Sequence, residues 1–229
     1  MSLQTHEFAS KEALNNAFAS KIIVILQAAI AEKGQASLIV SGGNTPKPLF
    51  AALSQADLDW SKVVISLADD RWVDINDDAS NDKLVREHLL VGKAKDAKFI
   101  SLKHDFADAN DAVMACETAL ENVQLPFDVL ILGMGEDGHT ASLFPCSTQL
   151  QAGLDLDSGK KYIAVQPTTA PHQRMSLTLP ALLDSNHIFL HLTGTAKQTV
   201  VAQALASTET QMPIKAVLDR ANVQLMWAP

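Results

Sequence analysis

The chain has 229 residues, of which 47% are apolar and 19% charged, with a formal net charge of −8. Such a length and balance suit a compact globular protein with a sizeable core and exclude a disordered chain. No basic stripe offsets the acidity, so nucleic acid is excluded as a partner, and positive charge for any anionic ligand has to be gathered locally from individual arginines and lysines.

Residues 1–7 lack a cationic stretch followed by an apolar one, so no secretory leader is expected. Residues 11–32 are alanine-rich with helical periodicity. Within them the longest apolar run, 22–30, is broken by Gln27 and bounded by Lys21 and Glu32. A bilayer needs about 20 apolar residues, so no membrane span is expected. Residues 36–40 form a short apolar run ending at Ser41-Gly42-Gly43, and Pro46 fits the first turn of a following helix. Residues 63–68 read as the next strand and deliver Asp69-Asp70-Arg71.

Ser80 suits the cap of a helix running to about residue 90, with Asn81 and Asp82 in its first turn. A weaker strand at 98–101 and a helix at 107–122 follow, then a buried strand from Asp128 to Leu132. Beyond a looser stretch to Ser158, residues 162–165 and 174–179 look extended, and 181–184 form a helical turn. A strand at 187–192, a helix at 196–206 after Gly194-Thr195, and a strand at 223–226 complete the pattern. The alternation predicts an α/β fold with a mostly parallel sheet and helices on both faces. Linkers rich in proline or glycine are lacking, which predicts one domain over residues 1–229. Cys116 and Cys146 are the only cysteines and lack metal-type spacing, which fits a reduced, cytoplasmic compartment.

Three loops follow predicted strands, where open α/β sheets bind ligands. In Ser41-Gly42-Gly43-Asn44-Thr45-Pro46 the glycines allow close backbone approach, and the N–H groups of a helix start favour an anion. Ser41 and Thr45 add hydroxyls. A tight turn with Thr45 as a plain N-cap is equally open. In Asp69-Asp70-Arg71-Trp72, Arg71 offers a planar fork to an anion or developing oxyanion, or else pairs with its acidic neighbours.

The third loop, Gly133-Met134-Gly135-Glu136-Asp137-Gly138-His139-Thr140, satisfies a dinucleotide-type glycine spacing. Glu136 and Asp137 would repel a pyrophosphate, and Pro145 limits the room for the long helix that such a site requires, so that reading is rejected. Imidazole is the side chain best suited to moving protons near neutral pH, which makes His139 the leading catalytic candidate. Asp137, two positions away, can hold one ring nitrogen and raise the basicity of the other. Alternatively, Asp137 caps a helix beginning near His139.

Arg174 and Lys197 are further cations suited to a phosphate. Of the remaining histidines only His187 and His191 share a strand face, which reads as packing, and no metal site or Gly-x-Ser-x-Gly elbow occurs.

Together, Ser41-Gly42-Gly43-Asn44-Thr45-Pro46, Asp69-Asp70-Arg71-Trp72-Val73 with Ser80-Asn81, and residues 133–145 resemble the 6-phosphogluconolactonase family in order and spacing. Asp70 stands where that family usually has Glu, Asp74 where Pro is common, and residues 170–174 keep the arginine without the usual Lys-Pro-Pro run. The resemblance implies a three-layer α/β/α, Rossmann-like fold and a cytoplasmic pentose phosphate pathway hydrolase with no metal or organic cofactor. A small-molecule sugar phosphate lactone is then the partner, and a monomer is expected. His139 is implied as the base acting on water, oriented by Asp137. Ser41, Gly42, Gly43, Asn44 and Thr45, with Arg174 and Lys197, would hold the phosphate, and Arg71 the oxyanion or the sugar hydroxyls. The first motif is shared with glucosamine-6-phosphate deaminases, whose further carboxylate after the histidine is missing from residues 140–145. A deaminase or isomerase, and a sugar-phosphate sensor without turnover, are the alternatives.

Overall fold

The computed structural model describes residues 2–121 and 123–229. In chain order its elements are β1 (Leu3–Glu7), α1 (Lys11–Lys33), β2 (Ala36–Val40), α2 (Lys47–Ser54), β3 (Val63–Leu67) and β4 (Asp69–Arg71). Next come α3 (Asn81–His88), β5 (Lys98–Ile100), α4 (Ala109–Leu120), β6 (Phe127–Leu132), α5 (Leu150–Leu154) and β7 (Tyr162–Val165). The chain ends with β8 (Arg174–Leu177), α6 (Leu179–Leu183), β9 (Ser185–Thr193), α7 (Thr195–Ala206), α8 (Ile214–Arg220) and β10 (Val223–Ala228).

Seven strands pair in the order β1-β10-β9-β6-β2-β3-β5, every pairing parallel. Helices flank this sheet, giving the three-layer α/β fold expected. β2, β3 and β6 are buried along their whole length, and each is apolar but for one polar residue, Ser37, Ser66 or Asp128, whose side chain is hydrogen-bonded within the fold. Between β2 and β6 the topology reverses, with β3 and β5 beyond one strand and β9, β10 and β1 beyond the other. The carboxyl ends of β2 and β6 therefore open a crevice between them.

α1 starts on Ser10, whose hydroxyl accepts from Ala13 N–H, and stops at Gly34, which takes a left-handed φ of 80°. By length and composition it could cross a membrane. Here Leu14, Phe18, Ile22, Leu26 and Ala29 form a buried stripe at helical spacing, and Phe18 meets Phe189 of β9 at 4.9 Å between ring centroids. Burying each large side chain of this kind contributes roughly 1.5–3 kcal/mol. At the far end of the helix, Lys33 pairs with Asp128 at 2.7 Å, and Asp128 accepts from Ser37 N–H at 2.8 Å. The polar flank of the β6 sequence thus ties α1, β2 and β6 together.

Three features depart from the sequence expectations. Residues 3–7 form an edge strand although they are polar and half exposed, because β10 supplies its pairing partners. Asp69-Asp70-Arg71 is not simply a loop. It forms β4, which pairs antiparallel with β8, and β8 with β7, in a second, three-stranded sheet. The helix predicted over 107–122 spans Ala109–Leu120, and residue 122 lies outside the described residues.

Candidate active site

A cleft of about 230 Å³ lies at the carboxyl ends of β2 and β6. The loop after β6 supplies its imidazole. His139 Nδ1 lies 2.6 Å from Asp137 Oδ1, and the same oxygen accepts the His139 backbone N–H at 3.1 Å. No partner takes Nε2 among the described residues, so that nitrogen is the one open to the cleft. Burial pushes the Asp137 carboxyl up, but the hydrogen bonds and charge of His139 outweigh it and leave the group below the usual carboxylate range.

Glycine is required at two places in this loop. Gly138 turns the chain with φ at 73°. A Cβ at Gly135 would lie 2.2 Å from His139 Nδ1 and 2.6 Å from Asp137 Oδ1. Gly135 N–H also donates to His139 O at 2.9 Å, and Thr140 Oγ1 donates to Gly133 O at 2.9 Å. No helix begins at His139. Instead the chain runs on irregularly, with Ala141 at a φ of 47°.

Arg71 ends β4, and its side chain donates to Ala79 O at 2.8 Å while its buried Nε has no partner among the described residues. It forms no ion pair with its acidic neighbours among the described residues, because both carboxylates are engaged elsewhere. Asp70 accepts the backbone N–H groups of Arg71, Asn81 and Asp82 at 2.7, 2.7 and 3.0 Å, which seats it at the start of α3. Burial raises this carboxyl to about 6 against the opposing pull of those three donors. Asp69 accepts from Ser142 Oγ at 2.5 Å, and its carbonyl accepts from Asn81 Nδ2 at 2.9 Å.

Arg174 opens β8 opposite Arg71 in the antiparallel register, so the small sheet brings the two guanidinium groups to one wall. Arg174 is buried, donates to Pro171 O at 3.3 Å and keeps an Nε with no partner among the described residues. Burial lowers its pKa, yet a guanidinium remains charged. Lys197, in the first turn of α7, donates to Met134 O at 2.8 Å and lines the same cleft. Three cations thus converge in a protein of net charge −8.

Of the loop after β2, Ser41, Gly42, Thr45 and Pro46 line the cleft, whereas Gly43 and Asn44 do not. Ser41 donates its hydroxyl to Ile131 O at 3.0 Å, which joins this loop to β6. Pro46, not Thr45, occupies the N-cap of α2, without a side-chain cap bond. Asp69 and Asn81, which the sequence offers only as parts of a motif with no role of their own, and His191, which it reads as packing, all reach the cleft. Asn81 packs against Gly42, and only folding reveals that contact. His191 sits near the carboxyl end of β9, a position that could have flagged it. Burial lowers its pKa to about 4, and neither ring nitrogen has a partner among the described residues. No trio of His, Cys, Asp and Glu side chains placed to hold a metal occurs among the described residues.

The family model for glucosamine-6-phosphate isomerases/6-phosphogluconolactonase matches residues 9–227. The chain is 43% identical to a 6-phosphogluconolactonase of Rhizobium meliloti, covering 100% of both chains. Identity to one from Pseudomonas putida is 41%, covering 99% of this chain and 93% of the relative. A crystal structure of a 6-phosphogluconolactonase from Shewanella baltica superposes with a TM-score of 0.97 at 46% identity, covering 100% of this chain and 98% of that one.

Proposed function

The chain belongs to the glucosamine-6-phosphate isomerase/6-phosphogluconolactonase family, and on that premise we propose that it hydrolyses 6-phospho-D-glucono-1,5-lactone to 6-phospho-D-gluconate in the oxidative pentose phosphate pathway of the cytoplasm. One observation carries this reading: an Asp–His pair at 2.6 Å shares a cleft with three cations. Hydrolysing a phosphorylated lactone needs a base for water and positive charge for the phosphate and the developing oxyanion. Residues 1–229 act as one unit here, which the continuous hydrophobic core supports.

In this mechanism the phosphate rests against the Ser41–Thr45 backbone, with Arg174 and Lys197 supplying charge. Neutral His139 takes a proton through Nε2 from the water whose oxygen attacks the lactone carbonyl carbon, and Asp137 holds the ring by Nδ1. Arg71 faces the oxyanion. When the tetrahedral intermediate collapses, the bond to the ring oxygen breaks and the imidazolium returns its proton to that oxygen. The carboxylic acid product then ionises and releases acid. A base of this kind typically gives about 10²–10⁴-fold.

Sugar-phosphate deamination would need a carboxylate free to carry a proton between carbons. Asp69, the other carboxylate at the cleft, is held by Ser142. A binding-only sensor has no use for a pinned Asp–His pair. Acid release from the lactone, measured above the spontaneous rate, tests the proposal. Ammonia release from glucosamine 6-phosphate without lactone hydrolysis would replace it.

A further inference from the structure

Phe144 touches both working ends of the cleft. Its buried ring stacks on the His139 imidazole, with centroids 4.0 Å apart and planes at 25°. The guanidinium carbon of Arg174 lies 5.1 Å from the centroid of the same ring. We propose that Phe144 is a positioning residue of the reaction: it fixes the tilt of the base and the seat of the anion-binding arginine, and so sets one relative to the other. This rests on the lactonase reading above.

The hydrogen bond to Asp137 restrains His139 at a single atom, Nδ1, and a ring held at one atom can still tilt. An aromatic face stacked against it at 4.0 Å, inclined by 25°, restricts that freedom. The Phe144 backbone is itself well placed to impose it. Two residues earlier, Ser142 donates its N–H to Ser176 Oγ at 3.0 Å and its hydroxyl to Asp69 Oδ2 at 2.5 Å. The segment bearing the ring is therefore fastened to β4 and to β8, the strand that Arg174 opens. Chemistry adds a second contribution. An aromatic face carries partial negative charge, so it favours the imidazolium formed when His139 takes the water proton, as it favours the guanidinium.

Phe144→Leu keeps an apolar side chain but removes the face. It is expected to lower kcat roughly tenfold with a smaller rise in KM, and to move the acidic limb of the kcat–pH profile to lower pH, because the imidazolium loses a stabilising contact. Asp137, Arg71, Asp69, Arg174, Lys197 and His191 are the other titratable groups around the cleft, and of these Arg174 also loses its contact with the ring. Phe144→Tyr restores kcat and the profile.

Proton NMR reads the geometry without turnover. The His139 ring C–H resonances, assigned by their loss in His139→Gln, are expected upfield in the wild type through the ring current of Phe144, to move downfield in Phe144→Leu and to return in Phe144→Tyr. Should Phe144→Leu not fold, Phe144→Met and the wild-type resonances carry the same test. A folded Leu or Met variant with wild-type kcat and pH profile, or wild-type His139 resonances without an upfield displacement, overturns the proposal. A wild-type protein that shows the upfield resonances but no lactone hydrolysis overturns the lactonase reading instead.

Discussion

Gly135 backs directly onto His139: a Cβ at that position would stand 2.2 Å from Nδ1 and 2.3 Å from Cε1 of the imidazole. Neither ring atom can yield without breaking the bond to Asp137, because the intruding carbon would lie 2.6 Å from the accepting oxygen as well. Gly135→Ala is therefore expected to cost about as much activity as losing the base, roughly 10²–10⁴-fold in kcat. A variant that keeps its rate would show that the pair is not needed.

Gly42 stands in the same relation to Asn81, whose Oδ1 would lie 1.8 Å from an added Cβ. Asn81 cannot swing aside freely, since its amide holds the Asp69 carbonyl at 2.9 Å. Gly42→Ala should separate the loop after β2 from β4, raising KM more than it lowers kcat. Overpacking also costs about 1–3 kcal/mol of stability. Steady-state kinetics alongside urea unfolding separate the two effects, and an unchanged KM contradicts the first.

The phosphate assignment predicts a dependence on the substrate's own charge. Arg174→Leu is expected to lower kcat/KM for the phosphorylated lactone by roughly tenfold or more while barely affecting gluconolactone without phosphate. Equal losses on both substrates would mean that Arg174 supports the fold and not the phosphate.

Asp70 provides a pH signature. Its folded pKa, about 6, lies above its ordinary value of 3.8. The folded chain therefore holds this proton more tightly than the unfolded one. Stability from this group is fully present below about pH 4 and is lost as pH rises through 6, a change on the order of 3 kcal/mol. Urea unfolding of wild type and Asp70→Asn between pH 4 and 8 should show the wild type gaining on the variant as pH falls. A difference that stays flat contradicts the assignment.

Much of this site was legible because its chemistry sits where β strands end. β2, β3 and β6 are apolar but for Ser37, Ser66 and Asp128, so their burial and the position of the loops behind them follow from sequence. The two-residue spacing of Asp137 and His139 is enough to let one oxygen reach both the ring and the backbone N–H. Contacts made across the fold were not legible. Asp69 is turned toward Ser142 and Asn81 by a strand pairing more than a hundred residues distant in sequence, Asp69 with Ser176. Nothing in the sequence of Ser41 announces that its hydroxyl is donated to β6. Residues 3–7 show no apolar period, and only β10 makes them a strand.

The most direct test of the account is single: kcat for 6-phosphogluconolactone hydrolysis by His139→Ala, corrected for spontaneous opening of the lactone. A fall of roughly 10²–10⁴-fold, or about 3–5 kcal/mol of barrier, with a near-wild-type KM is the result expected of a lost general base. A corrected rate equal to wild type would remove the imidazole from the chemistry.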